Sequence, residues 1–133
     1  MGPLVNGGDR CHHQGMPGRA IVVDDHEAFR ASARRLLELT GYDVVGEAAD
    51  GASALALARE LQPEVILLDI ALPDMSGFDV ADELAGDGST VVLVSSRDPA
   101  DLGRRLARSG ARGFISKDRL SEESLLEVIG EPR

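Results

Sequence analysis

The stretch EVILLD, residues 64–69, sets four consecutive apolar residues between two acids. A run this short, with β-branched Val65 and Ile66 at its head, suits a strand covered on both faces; a strand with one wet face would place a polar residue at every second position. Working outward from it, four similar runs occur: AIVVD (20–24), DVVGEA (43–48), TVVLVS (90–95) and RGFIS (112–116). The stretches between them change period. HEAFRASARRLLELTG (26–41) puts Phe29, Ala33, Leu36 and Leu37 on one helical face, with Gly41 as its stop. DGASALALARELQP (50–63) repeats the form with Leu55, Ala58 and Leu61 inside and Pro63 ending it.

Three further helical stretches follow. SGFDVADELAG (76–86) presents Phe78, Ala81, Leu84 and Ala85, and PADLGRRLARSG (99–110) presents Leu102 and Leu106, with Gly110 as terminator. SEESLLEVIG (121–130) starts at Ser121 and is expected to bury Leu125, Leu126 and Ile129. Its third position on is Ser124 rather than Glu, which predicts an N-cap without a full capping box. Strand and helix thus alternate along the chain, the signature of βα units. Right-handed crossovers with helices on both faces give an α/β fold, a five-stranded doubly wound parallel sheet of flavodoxin-like topology. A closed eight-unit barrel would need about 250 residues, and the chain has 133.

Composition narrows the function classes. The aromatics are Phe29, Phe78, Phe114 and Tyr42, with no Trp, so the core must be aliphatic. A net charge of −9 repels nucleic-acid phosphates, so no nucleic acid is expected to bind this chain. No apolar run approaches the roughly 20 residues of a membrane helix, and no secretory signal pattern opens the chain; a cytoplasmic protein is expected. Cys11 is the single cysteine, and with His12 and His13 it lacks a second ligand cluster to close a metal site. Residues 1–18, rich in Gly and Pro, read as a disordered leader or a remnant of cloning, and 19–133 as one folded domain.

The strand ends carry the chemistry. The first run ends in Asp24, followed by Asp25; the third ends in Asp69, the fourth in Ser95, and Lys117 stands one residue past the fifth. Lys117 is also the only lysine; every other basic residue among Lys and Arg is arginine. In open α/β sheets ligands bind at the carboxyl ends of the strands. Three acids in one mouth repel one another unless a cation compensates, and Mg²⁺ is the cation that suits hard oxygen ligands with room for water. A phosphoryl reaction fits such a group: Asp69 as nucleophile, Asp24 and Asp25 holding the metal, Ser95 and Lys117 meeting phosphoryl oxygens. A compact ammonium suits the last role better than a planar guanidinium.

VVDDHEAFR, LLDIALPDMSG, VVLVSS and GFISKD resemble, in order and spacing over residues 19–130, the receiver domain of two-component response regulators. The likeness implies that Asp69 is the phosphoacceptor and that Asp24, Asp25, Asp69 and the backbone carbonyl of Ala71 ligate Mg²⁺. It implies Ser95 and Phe114 as the switch pair and Lys117 as the family's lysine. It also implies a sensor histidine kinase as donor. Arg104, Arg105, Arg108 and Arg112 beside Glu122 and Glu127 give helix 4, strand 5 and helix 5 a mixed surface, through which a homodimer is expected to pair. Such a domain is a signalling switch, not a turnover enzyme; it catalyses only its own phosphoryl acceptance and loss. The motifs are most similar to receivers that precede a helix-turn-helix output domain. Asp118 follows the lysine where many receivers have Pro, and the switch aromatic is Phe rather than Tyr. The alternative function is a receiver-like binding module that works without phosphorylation. A metal-dependent phosphatase would want an acid where Ala71 stands. A flavin module would want a Ser/Thr/Gly-rich loop after the first strand. His26, after the acid pair, is expected to face solvent at the start of helix 1.

Overall fold

A computed structural model describes residues 16–130 of the chain. β3 (Pro63–Asp69) is the middle of a five-stranded sheet in the order β2-β1-β3-β4-β5. β1 is Met16–Val23, β2 Asp43–Ala48, β4 Thr90–Ser95 and β5 Gly113–Ser116, and every pairing is parallel. The helices are α1 (Glu27–Leu39), α2 (Gly51–Leu61), α3 (Gly77–Gly86), α4 (Pro99–Arg108) and α5 (Glu122–Ile129). The doubly wound α/β expectation is met, and β3 is buried along almost its whole length because both of its faces carry helices.

Strand alternation sorts the core into two layers. Ile21, Val23, Ile66, Leu68, Val91 and Leu93 point to the face covered by α2, α3 and α4, through Ala54, Ala58, Phe78, Val80, Ala81, Leu84 and Leu102. Ala20, Val22, Val65, Leu67, Val92, Val94 and Ile115 point the other way, onto Ala33 and Leu37 of α1 and Leu125 of α5. Each buried Leu, Ile or Val contributes about 1.5–3 kcal/mol of transfer free energy.

Several local expectations change. β1 begins at Met16, so Met16–Gly18 belong to the strand rather than to a leader ending at 18, and the Gly18 N–H donates to Glu64 Oε1 at 2.7 Å. Residues 1–15, with Cys11, His12 and His13, and residues 131–133 lie outside the described residues. Pro63 opens β3 instead of ending α2; the stop is Gln62, whose left-handed φ of 48° turns the chain while its N–H closes on Ala58. α5 does have a reciprocal capping box: Ser121 accepts from the Ser124 N–H, and Ser124 Oγ accepts from the Ser121 N–H. A serine hydroxyl replaces the usual carboxylate there. Leu126 is exposed, and the face of α5 against the sheet is formed by Leu125, Val128 and Ile129. In α2 the deepest residues are Ala54 and Ala58, with Leu55 and Leu61 half-buried. α4 is broken at Gly103, with φ 50° and ψ −124°, so it is two short helical pieces rather than one.

Candidate functional site

The sheet brings its strand ends to one edge. Asp69 is in register with Val94, so Ser95 stands one residue past it on the neighbouring strand. Ser95 is in register with Ser116, which places Lys117 one residue further on. Asp69 follows the alternation of Val65 and Leu67, toward α1 and α5. Lys117 continues Ile115 on the same side, and this shared face lets the two meet.

Asp24 is fully buried and Asp69 nearly so. Lys117 Nζ lies 2.6 Å from Asp24 Oδ2 and 3.7 Å from Asp69 Oδ2, and 4.4 Å from the centre of the Phe29 ring. The ammonium is the charged partner of the buried Asp24 Oδ2. Burial raises the Asp69 carboxyl above its ordinary value; the Asp24 charge adds to the rise, and Lys117 and the Ala71 N–H work against it. Ser95 Oγ is buried and accepts from the Arg97 N–H at 3.0 Å, leaving its own hydroxyl proton for another acceptor.

The loop after Asp69 closes on itself. The Gly77 N–H donates to the Ile70 carbonyl at 2.8 Å, and Ala71 bridges Ser76. A Cβ on Gly77 would run into the Asp69 carbonyl oxygen and the Ile70 Cα, so only glycine lets α3 start this close to β3. Asp74, in the same loop, accepts from the Gly51 and Ala52 N–H groups at 2.8 and 3.0 Å, which holds its carboxyl below the ordinary value. Lys117–Arg119 form one 3₁₀ turn in which Asp118 takes part.

Three contacts at the site were not legible as chemistry in the sequence. His26 is the N-cap of α1 and its side chain is 70% exposed, yet Nδ1 turns back to 3.0 Å from Asp24 Oδ1 and 3.1 Å from Asp25 Oδ1. The expected place at the start of α1, open to solvent, is met, and the ion pairs to the acids are added to it. Arg30 donates through one terminal nitrogen to the Asp24 carbonyl at 2.7 Å and through Nε to Glu47 at 3.0 Å. Glu47 also accepts from Arg34 at 2.7 Å; burial pushes its carboxyl up, but the bonds from Arg34 and Arg30 hold it low on balance. Phe29, read only as a core residue, lies against the Lys117 ammonium. Phe114 is half-buried and lines a cleft of about 680 Å³ with Arg97, Arg119 and Glu127. Asp24, Asp25 and Asp69 do not line that cleft, so it belongs to the surface beside the strand-end acids.

The residues fit a hard divalent cation: Asp24, Asp25, Asp69 and His26 each offer a donor atom within 4.8 Å of the others, and three of the four donors are carboxylate oxygens.

Comparison with known proteins agrees. The model of the response regulator receiver domain matches residues 20–130. A Pseudomonas aeruginosa protein named as a transcriptional regulator is 41% identical over 113 residues, covering 84% of this chain and 53% of that protein. The signal receiver domain of the Mycobacterium tuberculosis protein described as response regulator NarL superposes with a TM-score of 0.73 at 36% identity, covering 86% of this chain and 95% of that one. A Burkholderia pseudomallei response regulator, solved with a phosphorylated aspartic acid, a calcium ion and citrate, is 26% identical with a TM-score of 0.74, over 84% of this chain and 65% of that one. The chain spans about half the length of the curated relatives it matches. No helix among the described residues is long and apolar enough to cross a membrane. Sheet order, strand-end acids and the matched model agree that this chain belongs to the response regulator receiver domain family of two-component signalling.

Proposed function

We propose that the domain is a phosphorylation switch in which Asp69 accepts a phosphoryl group from a phosphohistidine on a sensor histidine kinase. The observation that supports it most is the pairing of two buried aspartates, Asp24 and Asp69, with one ammonium, Lys117. An Asp69 carboxylate oxygen attacks phosphorus in line; the P–N bond breaks, its electron pair stays on the donor imidazole, and the product is an aspartyl phosphate. Asp24, Asp25, Asp69 and the Ala71 carbonyl would hold Mg²⁺, which when bound would supply charge neutralisation for the reaction. Lys117 and the Ser95 hydroxyl each meet one of the remaining phosphoryl oxygens, contributing by position and electrostatics.

Engaging Ser95 draws it toward Asp69 and vacates space for Phe114 to turn inward. The surface of α4, β5 and α5 then shifts between two populations. Arg105 of α4 is 3.5 Å from Asp79 and sits over the Phe78 ring at 4.8 Å, so it faces α3. Arg104, Arg108 and Arg112, with Glu122 and Glu127, are the charges through which a second copy would pair.

The test is intact mass after incubation with Mg²⁺ and acetyl phosphate, beside Asp69→Asn. Gain of one phosphoryl group, absent in the variant and without Mg²⁺, supports the switch. A folded protein that gains none is instead a binding module independent of phosphorylation.

A further inference from the structure

We infer that Asp74 is a positioning residue for the metal site: by holding two backbone N–H groups of α2 it fixes the loop between β3 and α3, and with it the place of Ala71 beside Asp69. The inference rests on the reading of Asp69 and the Ala71 carbonyl as metal ligands, and adds a residue outside the pocket on which that ligand set depends.

The loop is pinned at two levels. At its base the Gly77 N–H donates to the Ile70 carbonyl, and Ala71 bridges Ser76. At its tip Asp74 accepts from the Gly51 N–H through Oδ1 at 2.8 Å and from the Ala52 N–H through Oδ2 at 3.0 Å. Met75 lies over the same turn, where a Cβ on Gly51 would run into its Cγ and Sδ. The first N–H groups of a helix have no partner within it, and α2 divides its own between two acids. Asp50, in the entry to the helix, accepts only from the Ser53 N–H, at 2.8 Å. The two N–H groups before it are left to Asp74, 23 residues further along the chain from Gly51. Asp74 is exposed, so these bonds rather than burial hold it in place. Bonds to both oxygens of one carboxylate set the direction of the loop tip as well as its position, and an anion at a helix N-terminus strengthens them. Ala71 stands three residues before Asp74, and its N–H reaches the Asp69 carboxylate. A shift of the tip is therefore carried to a residue that already touches the pocket, and a small misplacement of a ligand is costly.

The experiment compares the two caps of one helix. Mg²⁺ is titrated by calorimetry into the full chain, freed of metal by chelator, and into its Asp74→Ala, Asp74→Asn and Asp50→Ala variants. Phosphorylation by acetyl phosphate is followed by intact mass across the same Mg²⁺ concentrations. Asp74→Ala and Asp50→Ala each remove one negative charge and one cap from α2, but only the first releases the loop. Both are expected to lower the urea midpoint. Asp74→Ala alone should weaken Mg²⁺ by about tenfold and raise by the same factor the Mg²⁺ concentration that gives half-maximal phosphorylation. Asp74→Asn, which keeps one acceptor oxygen, should fall between. Equal weakening by Asp74→Ala and Asp50→Ala would mean that the effect runs through the helix or its charge, and unchanged affinity in Asp74→Ala would mean that the loop keeps its place without these bonds; either overturns the inference. A full chain that binds no Mg²⁺ removes the metal site and the inference together. One that binds Mg²⁺ with the expected dependence on Asp74 yet gains no phosphoryl group supports the inference and removes the phosphorylation reading alone.

Discussion

Lys117 faces Asp24 at 2.6 Å and Asp69 at 3.7 Å while lying against Phe29. A guanidinium is wider than an ammonium and cannot repeat those contacts without turning its plane against the ring. Lys117→Arg is therefore expected to retain Mg²⁺ binding while slowing phosphoryl acceptance by about 10²-fold, read from phosphorylation time courses. Asp69 gives a stability prediction. Its carboxyl is raised by burial and then by Asp24, so the folded protein holds this proton more tightly than the unfolded chain does. Stability then falls as pH rises from the ordinary value of 3.8 through the raised one. Without metal, Asp69→Asn should raise the urea midpoint at neutral pH and remove that decline. Asp24, Asp25, Asp69, Ser95 and Lys117 could be placed from sequence because each ends a strand or follows one within two residues, and strand ends share one edge. His26 and Arg30 could not be, because their contacts depend on how the first turn of α1 leaves β1.

At the scale of elements, β1 starts four residues before its apolar run, at Met16, while the limits of β2, β3, β4 and β5 were legible to within a residue. Helix faces were less so. On α5, Leu125 and Leu126 are equally apolar in sequence, and only the crossing against the sheet decides that Leu125 is buried and Leu126 exposed. The break at Gly103 also has no counterpart in the apolar spacing, which continues from Leu102 to Leu106. Gly77 carries the sharpest expectation at this scale. Gly77→Ala must push α3 away from the carbonyl end of β3, at a cost of about 1–3 kcal/mol. It should lower the urea midpoint accordingly and slow phosphorylation as well, because the atoms displaced belong to Asp69 and Ile70.

For the whole molecule, the crowding of buried acids makes metal and fold one equilibrium. A cation that binds only the folded pocket adds about 2.7 kcal/mol at a hundred times its dissociation constant. Saturating Mg²⁺ should raise the unfolding midpoint of the natural sequence, and chelator should reverse it; Asp25→Asn should show neither effect. The register of the sheet has a further consequence, for inheritance. Because the working groups hang from strand ends, a gene encoding this domain can gain or lose codons in the turns at the opposite edge, such as the one between Thr40 and Tyr42, without moving the pocket. One codon inserted within β3 would instead exchange the two faces of the strand beyond it, turning Asp69 from the side of Lys117 to the side of Phe78. Length changes in descendants of this sequence are therefore expected to collect at one edge of the sheet and to be purged from its middle strand.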